Sequence, residues 1–328
     1  CDERPTPMRD GVLLGLAHLA ERASVAVVGD EQRIETEATL AALFGGDAPL
    51  ADPLHHQLRA IGTHHHHDRA EPTAPVGAQF SSNLMASDFS LPGEAAKLVA
   101  GRPDVIFHLA AIVSGEAEQN FDLGYRINLH GTMELFAAIR AVGDGYRPRV
   151  VFTSSIAVYG APFPDAIGDE FFTTPLTSYG TQKAIGELLL ADYSRKGFFD
   201  GIGIRLPTIC VRPGKPNKAA SGFFSNIIRE PLAGQEAVLP VSESVRHWHA
   251  SPRSAVVFLM HAATLDLNLV GPRRNLAMPG LSVTVGEQIE ALRKVAGEKV
   301  VARIRREPDP AIIKIVDGWA TRLDAKRA

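Results

Sequence analysis

Apolar positions along this chain fall into two recurring patterns. Short β-branched runs alternate with longer stretches in which apolar residues recur every three or four positions. The runs at Ser24–Asp30, Asp104–Ala111, Arg149–Thr153, Gly201–Pro207, Ala237–Pro240, Arg274–Met278 and Val300–Ile304 predict strands. The periodic stretches predict helices: Glu35–Phe44, closed by Gly45 and Gly46, then 91–101, 117–141, Thr177 or Ser178 through Leu190, 222–229, 254–263, 284–295 and onward from Pro310. A further short strand and helix are expected within Asp10–Ala20. Strands alternating with helices predict an α/β protein. Open sheets of that kind place their ligands beyond the carboxyl ends of the strands.

One strand end carries chemistry. Arg149-Val150-Val151-Phe152-Thr153 runs into Ser154 and Ser155, then Ile156-Ala157-Val158-Tyr159-Gly160. The following helix opens Thr177-Ser178-Tyr179-Gly180-Thr181-Gln182-Lys183, with Thr177 or Ser178 as its N-cap. Tyr179 and Lys183 are four apart and share one helical face. An ammonium beside a phenol favours the phenolate, which otherwise forms only near pH ~10. Ser155 is then a hydroxyl donor and Tyr179 a primed base. A Tyr-x-x-x-Lys spacing alone is common in helices; the serine-bearing strand upstream is what makes it specific.

These residues resemble the extended short-chain dehydrogenase/reductase family, the group of NAD-dependent epimerases and dehydratases. The likeness covers about residues 86–328. It is nearest to the sugar-acid branch of D-erythronate dehydrogenase-like proteins, through Ala111-Ile112-Val113-Ser114-Gly115-Glu116-Ala117-Glu118, Phe121-Asp122-Leu123-Gly124 and Arg205 to Asn217. The resemblance implies a Rossmann-like doubly wound parallel sheet over 1–206, of which 1–85 is atypical. A smaller substrate-binding part over 207–328 sends some segments back to the sheet. It also implies Ser155, Tyr179 and Lys183 as catalytic residues. Ala110, Ala111, Asn128, Tyr179, Lys183, Pro207 and Ile209 would lie along NAD, with NADP left open. Ser114, Ser155, Arg212 and Arg246 would meet the substrate, a guanidinium suiting a carboxylate. The expected reaction is oxidation of a secondary hydroxyl of a sugar acid. The alternatives are a nucleotide-sugar epimerase or dehydratase, and a catalytically impaired nucleotide-binding protein. Family members pair through helices like 117–141 and 178–196, so a homodimer is expected. His108 and Asn128 also have plainer readings, as a core histidine and a surface helical amide.

Residues 1–85 do not follow that family. It should open with a strand and a Gly-x-x-Gly-x-x-Gly turn, where glycines let the backbone approach a pyrophosphate. Gly11-x-x-x-Gly15 has the wrong spacing. Asp30 is the best candidate for the ribose-binding acid after a second strand. The segment reads as a divergent half, or as one foreign to the family through a shifted frame. His64 to His67, with His55 and His56 nearby, offer imidazoles but no carboxylate or cysteine spacing to close a site. They are read as a histidine-rich loop, and no metal is expected. The chain opens on Cys1, so its beginning is expected to be missing, processed or misread. The resemblance implies a further helical segment after Ala328, so the carboxyl end is also expected to be cut short.

Bulk properties narrow the picture further. The 328 residues suffice for a full core. A net charge of -3 argues against nucleic acid and acidic membrane surfaces. No apolar run spans a bilayer, and no secretory pattern is present. Two cysteines, Cys1 and Cys210, make no disulfide framework, which suits a cytoplasmic protein.

Overall fold

The computed structural model describes residues 25–29, 58–62, 85–212 and 219–328. Among them the chain builds a parallel seven-stranded sheet. Its first members are β1 (Val25–Gly29), β2 (Leu58–Gly62), β3 (Met85–Ala86), β4 (Val105–His108) and β5 (Arg149–Ser155). After a two-residue β6 (Ile167–Gly168) come β7 (Asp200–Leu206), β8 (Thr208–Ile209), β9 (Ala237–Leu239), β10 (Arg246–Ala250) and β11 (Asn275–Ala277). The sheet order is β3-β2-β1-β4-β5-β7-β11. Strand β1 pairs in parallel with both β2 and β4, so the order reverses beside it. Such a switch point is where open α/β sheets open a crevice.

Helices cover both faces. They are α1 (Glu94–Val99), α2 (Ser114–Gln119), α3 (Phe121–Gly124), α4 (Gly131–Val142), α5 (Ser178–Arg195), α6 (Gly222–Leu232) and α7 (Pro252–Thr264). Strand β5 shows why: alternate residues enter opposite cores. Val150 and Phe152 pack with Leu98, Leu135, Phe136, Ile139 and Leu190 from α1, α4 and α5. Val151 packs on the other side with Ile202, Ile204, and Ala255 and Leu259 of α7. A strand buried on both faces reads as a continuous apolar run, and Val150–Phe152 does.

A third apolar cluster lies towards the carboxyl end. It joins Phe224 and Ile227 of α6, Leu239 of β9, and Ile289 and Leu292 of α8 (Val285–Ala296). Helix α8 begins with a capping box: Thr284 Oγ1 accepts from the Glu287 amide while Glu287 accepts from the Thr284 amide. Strand β12 (Leu281–Thr284) joins β10 and β8, and β13 (Ile304–Arg306) pairs with β9.

Several expected elements differ. Strand β4 stops at His108, so Leu109–Val113 is not strand. The 117–141 stretch is not one helix. At Asn120 the backbone leaves helical values (φ -126°, ψ 84°), and its side chain accepts from the Leu123 amide at 3.2 Å, capping a new start. A π-helical turn, 125–130, then leads into α4. Val300 lies in α9 (Glu298–Val301), and only Ile304–Arg306 is strand. Beyond α10 (Pro310–Val316) the tail is not helical: β14 (Leu323–Asp324) pairs with β6. Val25–Gly29 is a strand as expected, but it holds the first Rossmann position rather than the second. Asp30 therefore follows the wrong strand for a ribose-binding acid. Asp30 itself, Asp10–Ala20, Glu35–Phe44 and His55, His56 and His64 to His67 lie outside the described residues.

Candidate active site

Strand β5 delivers Ser155 to the carboxyl edge of the sheet. Its hydroxyl accepts from the Ala157 amide at 3.1 Å, which fixes the start of the 156–158 turn. It also hydrogen-bonds the Tyr179 phenol. Helix α5 brings Tyr179 there. Thr177 Oγ1 accepts from the Gly180 amide at 3.1 Å, and the Ser178 amide donates to Glu118 Oε2 of α2 at 3.0 Å. Gly180 permits the approach: a Cβ there would stand 2.1 Å from the Ala157 carbonyl oxygen.

Lys183 is 2% exposed. Its Nζ donates to the Thr153 carbonyl at 2.8 Å and sits 5.8 Å from the centroid of the Tyr179 ring. Burial pushes the Tyr179 phenol up to about 12, and the Ser155 hydrogen bond works against that rise. Desolvation is the larger of these two effects on the phenol.

Buried groups brace the neighbouring strand ends. His108 is fully buried, with Nε2 2.8 Å from Thr132 Oγ1. The Thr132 hydroxyl gives its proton to the Asn128 carbonyl at 2.7 Å, so His108 must donate from Nε2. Burial, followed by the Lys183 charge, pulls its pKa down to about 3. His108 is a neutral core residue. Asn128 is buried rather than on the surface. Its Oδ1 accepts from the Ile112 amide at 2.8 Å, and its Nδ2 donates to the Ile112 carbonyl at 3.1 Å and to Gln182 Oε1 at 2.8 Å. The chain leaving β4 is thereby tied to α5.

The comparisons with known proteins bear on this site. The family model described as NAD dependent epimerase/dehydratase family matches residues 51–263. D-erythronate dehydrogenase of Cupriavidus necator is 48% identical over 245 residues, 75% of each chain. Its namesake in Haemophilus influenzae is 47% identical over 232 residues, 71% of this chain and 73% of that one. The chain belongs to the NAD dependent epimerase/dehydratase family. A crystal structure described as the nucleoside-diphosphate-sugar epimerase from Agrobacterium tumefaciens is 63% identical, with a TM-score of 0.82, covering 93% of this chain and 88% of that one.

This family member is an NAD-dependent oxidoreductase, and its described residues fit one end of that cofactor. Hydroxyls of Ser155 and Tyr179 and the Lys183 ammonium gather at the carboxyl end of β5, two strands from the switch beside β1. Ala110 is buried and Ala111 half-buried just past β4, small enough for close approach. Pro207 is buried between β7 and β8, and β8 carries Ile209 alongside β10. Ser114 is the first residue of α2. The two arginines stand differently. Arg212 accepts from Arg229 through its carbonyl at 2.8 Å and donates its amide to Ser225 Oγ at 3.1 Å. Arg246 is exposed at the start of β10 and is held by the Ser282 carbonyl at 2.7 Å and Glu287 Oε2 at 3.3 Å. His249 of β10 pairs with Thr208, so Arg246 lies three residues, roughly 10 Å, along the strand from that point.

Sequence reasoning missed Gln182, Glu118, Ser154, Glu187 and Arg205. The only local signal was Glu187, four residues past Lys183; the others meet their partners from distant elements.

Proposed function

We propose that this protein oxidises a secondary hydroxyl of a sugar acid of the D-erythronate type. The Ser155–Tyr179 hydrogen bond, with Lys183 one turn further along α5, carries the reading. The names of the two relatives at 48% and 47% identity support the substrate class. Ser155 holds the reacting oxygen through the alcohol and carbonyl states. Tyr179 takes the hydroxyl proton as general base. NAD, when bound, supplies the hydride acceptor. Lys183 holds the nicotinamide ribose and offsets the charge on Tyr179. Asn128 acts through Ile112 and Gln182, while Ala110, Ala111, Pro207 and Ile209 line the cofactor. Ser114 and Arg212 are the substrate contacts we favour. Arg246 serves only if it leaves Glu287.

The proposed division sets residues 1–206 as the dinucleotide-binding part and 207–328 as mainly the substrate part, with α7 and β11 returning to the sheet. We also propose a cytoplasmic homodimer joined through α4 and α5, where Met133 and Leu188 are exposed. No described helix is long and apolar enough to cross a membrane.

Tyr179→Phe should lower turnover by ~10²–10⁴, the usual worth of a positioned base, without changing the fold. An unchanged rate refutes the mechanism. The second reading, a nucleotide-sugar epimerase, is favoured by the name of the 63% identical structure. Turnover of UDP- or dTDP-sugars in place of D-erythronate would establish it.

A further inference from the structure

Four residues with no role in the steps above form one polar unit behind the strand end. Arg205 of β7 donates from Nε to Glu187 Oε1 at 2.8 Å and from Nη2 to Oε2 at 2.6 Å. Ser154 Oγ donates to the same Oε1 at 2.6 Å. The remaining Arg205 nitrogen, Nη1, donates to the Tyr159 hydroxyl at 2.7 Å. The paired side chains are 11% and 4% exposed. Burial opposes the guanidinium charge, but the Glu187 hydrogen bonds outweigh it and push the Arg205 pKa up.

Stability does not explain such a pair. Desolvating two charges costs about as much as their attraction returns, and an apolar pair of equal bulk often holds a core as well or better. A bidentate fork adds direction, fixing distance and angle together. The anchors here are the segments that carry the chemistry. Ser154 precedes Ser155 and pairs with Arg205 across β5 and β7. Glu187 is one turn past Lys183 on α5. Tyr159 ends the turn whose Ala157 carbonyl faces Gly180.

We propose that the Glu187–Arg205 pair, with Ser154 and Tyr159, is a positioning device that sets α5 against β5, so that Lys183 and Tyr179 meet Ser155 in reacting geometry. It rests on the reading of those three residues given above. It predicts that the reaction depends on the pair more than the fold does.

The test compares wild type with Glu187→Met, the double variant Glu187→Met/Arg205→Met, and Ser154→Ala. Melting temperature, the thermal shift on adding NAD, and kcat and KM for D-erythronate are read for each. The single Glu187 variant strands a buried guanidinium and should melt earlier. The double variant should regain the wild-type melting temperature yet keep a kcat ~100-fold down, as for an ångström-scale misplacement, with KM changed little. Its thermal shift with NAD should also be smaller than that of wild type. A double variant with both kcat and NAD response restored overturns the proposal. If it fails to fold, Ser154→Ala decides: it strands no charge, and an unchanged kcat and NAD response there would be equally fatal. If wild type oxidises no sugar acid, the functional reading falls, and the NAD response of the same variants still decides the positioning role.

Discussion

Gly180→Ala separates two opposed effects at one atom. Helix propensity alone favours alanine over glycine by about 1 kcal/mol inside a helix, so an unhindered site would be stabilised. Here the added Cβ would stand 2.1 Å from the Ala157 carbonyl oxygen, which belongs to rigid backbone. A tolerable carbon–oxygen contact is about 3.3 Å, so the first turn of α5 must retreat from the 156–158 turn by about 1 Å. Tyr179 is the residue immediately before Gly180, so the phenol retreats with it from Ser155. A misplacement of ~1 Å costs on the order of 10²-fold in rate, or about 2.7 kcal/mol of transition-state stabilisation. The assay is steady-state oxidation of D-erythronate with NAD, with a melting curve beside it. We expect kcat to fall by about 10²-fold while the protein stays folded. A variant within threefold of the wild-type rate, or one that melts higher, would show that α5 and the 156–158 turn are not in the contact described.

Two further outcomes concern the brace and the buried imidazoles. Asn128→Asp keeps the acceptor for the Ile112 amide but sets a carboxylate oxygen against the Ile112 carbonyl and Gln182 Oε1. It should cost about 3 kcal/mol or more, and urea unfolding measures it; an unchanged urea midpoint would contradict the brace. His108, His247 and His249 are buried, and desolvation lowers them to about 3, about 3 and about 4. Unfolded, each would titrate near 6.5, so their contribution is complete above that pH and is lost as pH falls towards 4. Three extra protons taken up on unfolding give a slope of about 4 kcal/mol per pH unit below pH ~6. Urea midpoints that stay flat between pH 7 and 5 would contradict the burial of these rings.

Local chemistry was legible in the sequence, and long-range pairing was not. Val150 to Thr153 and Tyr179-x-x-x-Lys183 each announce their element within a few residues, so the strand end and the helix face could be joined from spacing alone. Asn120 could not be foreseen, because an asparagine inside an apolar helical period looks like any polar surface position until its side chain caps the next turn. Val300 misled in the opposite sense: its β-branched run suggested strand, but packing against the carboxyl-end cluster places it in α9. The Glu187–Arg205 pair depends on the β5/β7 register, in which Ser154 faces Arg205, and no local pattern encodes that register. Arg246 shows the limit of resemblance. Its position before an aromatic strand was recognisable, while its engagement by Glu287 required knowing that α8 begins beside β10.

The placement of β1 changes what the first part of the chain can contribute. With Val25–Gly29 between β2 and β4, the family's glycine turn would follow Gly29, and the sequence there reads Asp30-Glu31-Gln32. A carboxylate offers a pyrophosphate no donor, and its charge repels one. The acidic residue that selects a ribose 2′-hydroxyl would follow β2, where the sequence reads Thr63 and then His64 to His67. Neither a carboxylate for NAD nor an arginine for NADP stands directly after that strand. In the reading proposed above, the described half of the cofactor site is the one that β4, β5, α5 and the start of β8 build. That is the half to which Lys183, Tyr179 and their Glu187–Arg205 support belong.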